Sequence, residues 1–418
     1  MNVETYLTSL GQKAKAAARA MANLSATEKN KALLAVADGL IANQERILAV
    51  NREEVAAARA AGLKSSFVER LTLNPDRIAG MVEGIREIVR LDDPVGTVEK
   101  MWRRPNGLQI GQMRVPLGVV AIIYEARPNV TVDAAALCLK TGNSVLLRGG
   151  SEALKTNEIL VRVMQEALSR TALPPEAIQL VASPQREAAV ALMKMREYVD
   201  VLIPRGGAGL IKTVVESAQV PVIETGVGNC HIYVDASAQL PTAVEIVLNA
   251  KTQRPSVCNA LETLLVHQEI APSFLPLCGE ELRRAGVEVR GCPQTLTYLP
   301  WAKPATEEDW TTEYLDLILA VKVVPDFTAA VEHINRYGTG HSESIITADY
   351  TAARRFLQEV DAAAVYVNAS TRFTDGFEFG FGAEVGISTQ KLHARGPMGL
   401  LALTTTKYII YGDGQIRK

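Results

Sequence analysis

The sequence is short of cysteine, of long apolar runs and of surplus charge, and each shortage removes a class of protein. Five cysteines, at positions 138, 230, 258, 278 and 292, are odd in number and widely spaced, with no Cys-x-x-Cys among them. That argues against a paired disulfide framework and against the usual zinc-binding spacings, so no metal is expected. It points to a reducing, cytoplasmic setting in which a free thiol is available for chemistry. No apolar run approaches the roughly 20 residues that span a bilayer; the longest, around residues 119–123, has the length of a strand. The N-terminal stretch has no apolar core ahead of a cleavage site, and residues 12–21, rich in Ala and Lys, read as an amphipathic helix. A formal net charge of −2 gives no reason to expect nucleic acid or a membrane surface as partner. The G-x-G-x-x-G dinucleotide fingerprint is also missing.

What is present suggests a large α/β protein. A chain of 418 residues is long for one core and, at about 150 residues per domain, divides into two or three units. The first hundred residues carry helical periodicity, opened at Ser25-Ala-Thr-Glu28 by a capping box and continued through residues 78–89. Pro105-Asn-Gly107 stands between extended flanks over residues 102–114, and Asn-Gly is a strong hairpin signal. From residue 115 short apolar runs (118–123, 144–147, 178–182, 199–203, 220–223, with 230–235 continuing the series) alternate with helical stretches. A second series begins near Pro241, with strands expected at 262–267, 317–324, 344–347 and 364–368. Such alternation predicts parallel sheets covered by helices on both faces.

Several junctions could carry chemistry. Ile203-Pro-Arg-Gly-Gly-Ala-Gly209 ends a strand and opens a helix, where glycines let backbone N–H groups approach a pyrophosphate; a plain tight turn is the other reading. Arg148, at the end of another strand, suits a ribose 2′-phosphate or is a surface arginine. Asn129, in Tyr124-Glu-Ala-Arg-Pro-Asn129, either caps a helix or aims its amide at a developing oxyanion. Glu224 precedes a glycine-rich turn and reads as a base or as a partnered structural acid. Cys258 follows Arg254-Pro255, so its thiol falls in a shaped loop before a strand, with Lys251 and Arg254 close enough in sequence to favour thiolate. A small buried hydrophobe is the competing reading, and it fits Cys138 and Cys278 better. Cys230 adjoins His231, but neighbours on a strand face opposite ways and cannot easily share a proton.

Taken in order, five segments resemble the γ-glutamyl phosphate reductase family, a branch of the aldehyde dehydrogenase superfamily. They are Tyr124-Glu-Ala-Arg-Pro-Asn-Val-Thr131, Gly142-Asn-Ser-Val-Leu-Leu-Arg-Gly-Gly150, Ile203-Pro-Arg-Gly-Gly-Ala-Gly209, Lys251-Thr-Gln-Arg-Pro-Ser-Val-Cys258 and His393-Ala-Arg-Gly-Pro-Met-Gly-Leu400. Residues 365–375 extend the match. The resemblance implies an aldehyde-dehydrogenase-like α/β fold: two α/β domains with Rossmann-like parallel sheets and a small β oligomerisation element. Its expected divisions are an NADP-binding domain over 1–235, with hairpin 100–116 contributing to oligomerisation, a catalytic domain over 236–398, and a returning segment over 399–418.

The implied reaction is reduction of L-glutamyl 5-phosphate by NADPH to L-glutamate 5-semialdehyde, a step of proline biosynthesis. The implied partners are this small substrate, further copies of the chain in a homo-oligomer, and functional coupling to glutamate 5-kinase. By the match, Cys258 is the nucleophile and Asn129 lies near the oxyanion asparagine. Gly206 and Gly207 form the pyrophosphate turn, Arg148 meets the adenosine ribose, and Glu313 meets the nicotinamide ribose. Lys251 or Arg254 would neutralise the leaving phosphate, and Arg127 and Arg372 are candidates for the substrate's α-carboxylate. Glu224 matches the water-activating base of aldehyde-oxidising relatives, but reduction of an acyl phosphate activates no water, so it stays off the catalytic set. The rival readings are an aldehyde-oxidising dehydrogenase and a non-catalytic nucleotide-binding oligomer with a redox-sensing thiol.

Overall fold

The computed structural model describes residues 2–417, and the chain divides into two compact units. The first comprises Met1–Glu224, Gly380–Gly386 and Met398–Lys418; the second comprises Thr225–Phe379 and Ile387–Pro397. The first opens with helices Val3–Met21, Ala26–Ala42, Gln44–Ala60 and Pro75–Arg90. The capping box at Ser25 forms as expected: the Glu28 N–H donates to the Ser25 hydroxyl, and the Ser25 N–H donates to the Glu28 carboxylate.

Strands β1 (Val98–Arg103) and β2 (Gln109–Pro116) make the hairpin announced by Asn106-Gly107. Gly107 sits at φ +91°, where any side chain would be strained. The C-terminal strand Thr404–Tyr411 pairs antiparallel with β2 and completes a three-stranded sheet. All of β1 is exposed, as are Tyr408, Ile410 and Tyr411. Strands β3 (Val119–Tyr124), β4 (Ser144–Arg148), β5 (Ile178–Leu180) and β6 (Val201–Arg205) form a parallel sheet in the order β5-β4-β3-β6. Every residue of β3 is buried, the signature of a strand covered on both faces. The run 220–223 reaches it only through an isolated bridge from Val222 to Leu202.

In the second unit, β7 (Cys230–Val234), β8 (Leu261–His267), β9 (Glu288–Gly291), β10 (Lys303–Pro304), β11 (Ile318–Val324), β12 (Ser342–Ile346) and β13 (Ala364–Val367) form a parallel sheet in the order β10-β9-β11-β8-β7-β12-β13. Strand β7, which sequence alternation attaches to the first series, lies here between β8 and β12. Apolar periodicity cannot tell which of two similar sheets a strand joins; that is decided by the partners that cover it. Phe274, Leu275, Leu264 and Val321 belong to the core over this sheet. Among the described residues, no helix is long and apolar enough to cross a membrane.

One buried carboxylate ties the edge of this sheet to the loop beyond it. Asp309 accepts from the Thr306 N–H at 2.6 Å, from Arg290 on β9 at 2.7 Å and from the Tyr314 hydroxyl at 2.7 Å. Burial disfavours its charge, but these bonds outweigh it and hold the carboxyl at about 2, below the ordinary aspartate value. A depressed carboxylate contributes stability above its unfolded value near 3.9, lost as pH falls toward the folded value. Replacing Asp309 by Asn should therefore cost about 2 kcal/mol at neutral pH. It should also flatten the loss of stability between about pH 4 and pH 2 in denaturant titrations.

Candidate active site

Helix Leu240–Thr252 ends just before Cys258, and β8 begins just after it. The nucleophile candidate thus stands in a turn with no ladder to fix it, and side chains do that work. The Cys230 thiol on β7 donates to the Cys258 carbonyl at 3.2 Å. Asn259 donates its amide to the Thr374 carbonyl at 2.9 Å and the Arg372 carbonyl at 3.3 Å, while the Thr371 hydroxyl donates to the Asn259 carbonyl at 2.7 Å. Gly228 is pressed so close that a Cβ there would lie 1.5 Å from the Cys258 oxygen, which makes glycine obligatory.

The cysteines separate as the sequence suggests. Cys258 is partly exposed, while Cys138, Cys230, Cys278 and Cys292 are buried. Burial pushes the Cys278 thiol up to about 12 and the Cys138 and Cys230 thiols well above their ordinary value. Cys230 and His231 do turn to opposite sides: His231 pairs with the Glu343 carboxylate at 3.1 Å, and Cys230 lies 3.7 Å from His341 Nδ1.

Two cations stand by the turn. Exposed Arg254 precedes Pro255, and half-buried Arg372 donates its Nε to the Gln253 side chain at 2.8 Å. Burial, and then the nearby charge of Arg254, both act against the Arg372 charge, so an anion between them would relieve both. Lys251 does not join them. It is fully buried, and its ammonium donates at 2.7 Å to the equally buried Glu262 carboxylate on β8. Closeness in sequence suggested a cation for a leaving group; the helix end instead turns Lys251 inward, where its charge is neutralised. Glu313 comes to the same turn, its carboxylate accepting from the Gly228 N–H at 2.7 Å. Burial raises that carboxyl above its ordinary value.

In the first unit, Gly206 and Gly207 open the helix Ala208–Ser217 at the end of β6. The Gly207 N–H donates at 2.8 Å to the Glu125 carboxylate, and a Cβ at Gly206 would sit 2.8 Å from that side chain. That N–H is taken by a carboxylate of the same chain, so a pyrophosphate at this helix start would have to displace Glu125. Arg148, at the end of β4, donates to the Gly149 carbonyl at 3.1 Å and reaches the Pro184 carbonyl at 3.4 Å. These residues fit a nicotinamide dinucleotide. Arg127 occupies the N-cap position of the helix Pro128–Lys140 without a side-chain capping bond, and exposed Asn129 in its first turn donates its amide to Asp133 at 3.1 Å. Burial raises the Asp133 carboxyl to about 6 against that hydrogen bond. Among the described residues, no group of His, Cys, Asp or Glu is placed to hold a metal ion.

Sequence reading missed Glu125, Cys230 and Asn259. The run Gly226-Val-Gly228 was the available signal, since glycine spaced so tightly marks a backbone approached by another. A maleimide added to the native protein should modify about one thiol per chain rapidly, and Cys258→Ser should abolish that fast phase. Fast labelling that persists in the variant would contradict the assignment of Cys258 as the accessible thiol.

The sequence profile of the Aldehyde dehydrogenase family matches residues 5–295 and 306–409. The chain is 64% identical over 408 residues to a protein of Carboxydothermus hydrogenoformans named γ-glutamyl phosphate reductase, covering 98% of each. It is 62% identical to the protein of the same name from Moorella thermoacetica, covering 100% of each. Its fold matches the crystal structure of γ-glutamyl phosphate reductase from Thermotoga maritima with a TM-score of 0.97 at 52% identity, covering 99% of this chain and 100% of that one. An acetylating aldehyde dehydrogenase of Geobacillus thermoglucosidasius shares the fold at a TM-score of 0.70 and 19% identity, covering 100% of this chain and 98% of that one. The chain belongs to the aldehyde dehydrogenase family, within its γ-glutamyl phosphate reductase branch.

Proposed function

We propose that the chain reduces L-glutamyl 5-phosphate to L-glutamate 5-semialdehyde, with NADPH as reductant and release of phosphate, in proline biosynthesis. The observation that carries this reading is the partly exposed Cys258 in a turn beside Arg254 and Arg372, in a chain so similar to proteins named for that reduction. The Cys258 thiolate attacks the phosphorylated carbonyl, a C–S bond forms, and the C–O bond to phosphate breaks with its electron pair leaving on phosphate. Arg254 and Arg372 offset the charge of the departing group. When bound, the nicotinamide supplies the hydride that takes the acyl carbon to the aldehyde level. Product leaves when the C–S bond breaks and Cys258 departs as thiolate.

Asn129 and the Cys258 backbone N–H are assigned to the oxyanion, with Asp133 fixing which way the Asn129 amide faces. Arg127 is assigned to the substrate's α-carboxylate; Arg372, expected from the sequence to serve there as well, stands by Arg254 and is reassigned to the phosphate end. Gly206, Gly207 and Arg148 hold the cofactor's phosphates and adenosine ribose, the arginine favouring a 2′-phosphate and hence NADPH. Glu313 is assigned to the nicotinamide ribose. Lys251 is a positioning residue for the turn.

The proposed division of labour follows the two units, which part at 224/225 and not at the expected 235/236: the first binds cofactor, the second carries the nucleophile, and hairpin 100–116 with residues 399–418 joins copies of the chain. Exposed Met101, Trp102, Tyr408 and Ile410 on that small sheet support a homo-oligomer. An acyl phosphate hydrolyses readily, which favours functional coupling to glutamate 5-kinase in the cytoplasm.

Cys258→Ser should lower phosphate-dependent NADPH formation from the semialdehyde by at least about 1,000-fold, while NADPH affinity stays within about threefold. Retained turnover would end the nucleophile assignment. Turnover by wild type without phosphate would favour an aldehyde-oxidising dehydrogenase using Glu224.

A further inference from the structure

The nucleophile's own carbonyl has an unusual partner. Cys230 is fully buried on β7, and its thiol donates to the Cys258 oxygen at 3.2 Å. On its other side the Cys230 sulfur lies 3.7 Å from His341 Nδ1, which is 2.8 Å from the Ser342 hydroxyl. Ser342 meets the Thr374 hydroxyl at 2.6 Å, and Thr374 meets the Tyr366 hydroxyl at 2.7 Å. The carbonyl of the same Thr374 accepts the Asn259 amide at 2.9 Å. One polar chain therefore reaches the carbonyl of the Cys258–Asn259 peptide through Cys230, and the Asn259 side chain through the Thr374 carbonyl.

We infer that Cys230 is a positioning residue for the reaction: its thiol fixes the Cys258–Asn259 peptide plane and thereby the direction in which the Cys258 sulfur projects. The inference rests on the assignment of Cys258 as nucleophile. A peptide unit is planar and trans, and the Val257 carbonyl of the preceding unit accepts from the Ala260 N–H at 3.0 Å, so pinning the Cys258 oxygen limits the torsions at Cys258 between the two units. Those torsions carry the Cα–Cβ bond with them. Gly228 packs against the same oxygen without donating to it, so steric contact limits its travel and the thiol supplies the hydrogen bond. A serine hydroxyl at position 230 would still donate from a slightly shorter reach. Alanine would remove that thiol donor from a part-buried carbonyl.

Cys230→Ala should lower kcat for phosphate-dependent oxidation of the semialdehyde about 10- to 100-fold, with KM for the semialdehyde within about threefold. Its rate of Cys258 alkylation by iodoacetamide should shift at least about fivefold, and Cys230→Ser should restore both to within about threefold of wild type. An unchanged kcat and alkylation rate in Cys230→Ala would overturn the inference. So would a serine variant no better than alanine, since packing alone would then explain the loss. If Cys230→Ala does not fold, Cys230→Ser decides: a kcat within about threefold of wild type supports the inference, and a larger loss overturns it. Cys258→Ser measured alongside separates the two assignments. If it keeps turnover, the nucleophile reading fails; if it is dead while Cys230→Ala is unimpaired, only the positioning role fails.

Discussion

The buried pair of Lys251 and Glu262 closes the loop on which everything else stands. One partner ends the helix before Cys258 and the other lies in the strand after it, so their 2.7 Å bond staples the two ends of the Cys258 turn. Both side chains are wholly removed from solvent. Burial pushes the glutamate carboxyl up, to about 7, and the lysine ammonium down, while their mutual attraction works the other way. Such a pair adds little net stability against an apolar substitute, but removing one partner strands the other charge, at roughly 3–5 kcal/mol. The other Glu262 oxygen accepts from the Leu315 N–H at 3.1 Å, where Leu315 is held at φ +54°, a region that favours glycine. The same carboxylate thus ties the Cys258 turn to the segment that carries Glu313.

Charge is divided between the structure and the chemistry. Lys251 is spent on the scaffold, which leaves Arg254 and Arg372 as the cations beside the thiol. A planar guanidinium always carries its charge and meets phosphate in two places, whereas the Lys251 ammonium is already engaged by Glu262 away from solvent. In the first unit Glu125 lies on the Gly207 N–H, so the turn proposed for the cofactor's phosphates meets a carboxylate from its own chain. The contact is made by backbone alone, and it depends on Gly206 leaving room for the Glu125 side chain.

Much of this was legible in the sequence because local physics wrote it there. The Ser25 capping box and the Asn106-Gly107 turn formed as their residue types required, and continuous apolar runs gave buried parallel strands such as β3. The opposed faces of Cys230 and His231 followed from strand period alone. What could not be read depends on long-range partners. β7 joined the second sheet, β9 and β10 are too short to show a period, and the first unit recruits residues 380–386 and 398–418 from far along the chain. Lys251 misled for a related reason: nearness in sequence to Cys258 says nothing about which way a helix end points its last side chains. Cys230 showed in the sequence only as a strand neighbour of His231; its contact with the Cys258 carbonyl depends on a residue 28 positions away.

The central claim is that Cys258 carries the acyl group and that phosphate, not water, accepts it. Mixing the protein with glutamate 5-semialdehyde and NADP+ in the absence of phosphate tests this directly. The account predicts a burst of about one NADPH per chain, then arrest, with a glutamyl group on the Cys258 peptide by mass spectrometry and turnover resuming when phosphate is added. Steady turnover without phosphate, or an acyl group found on any other residue, would contradict it.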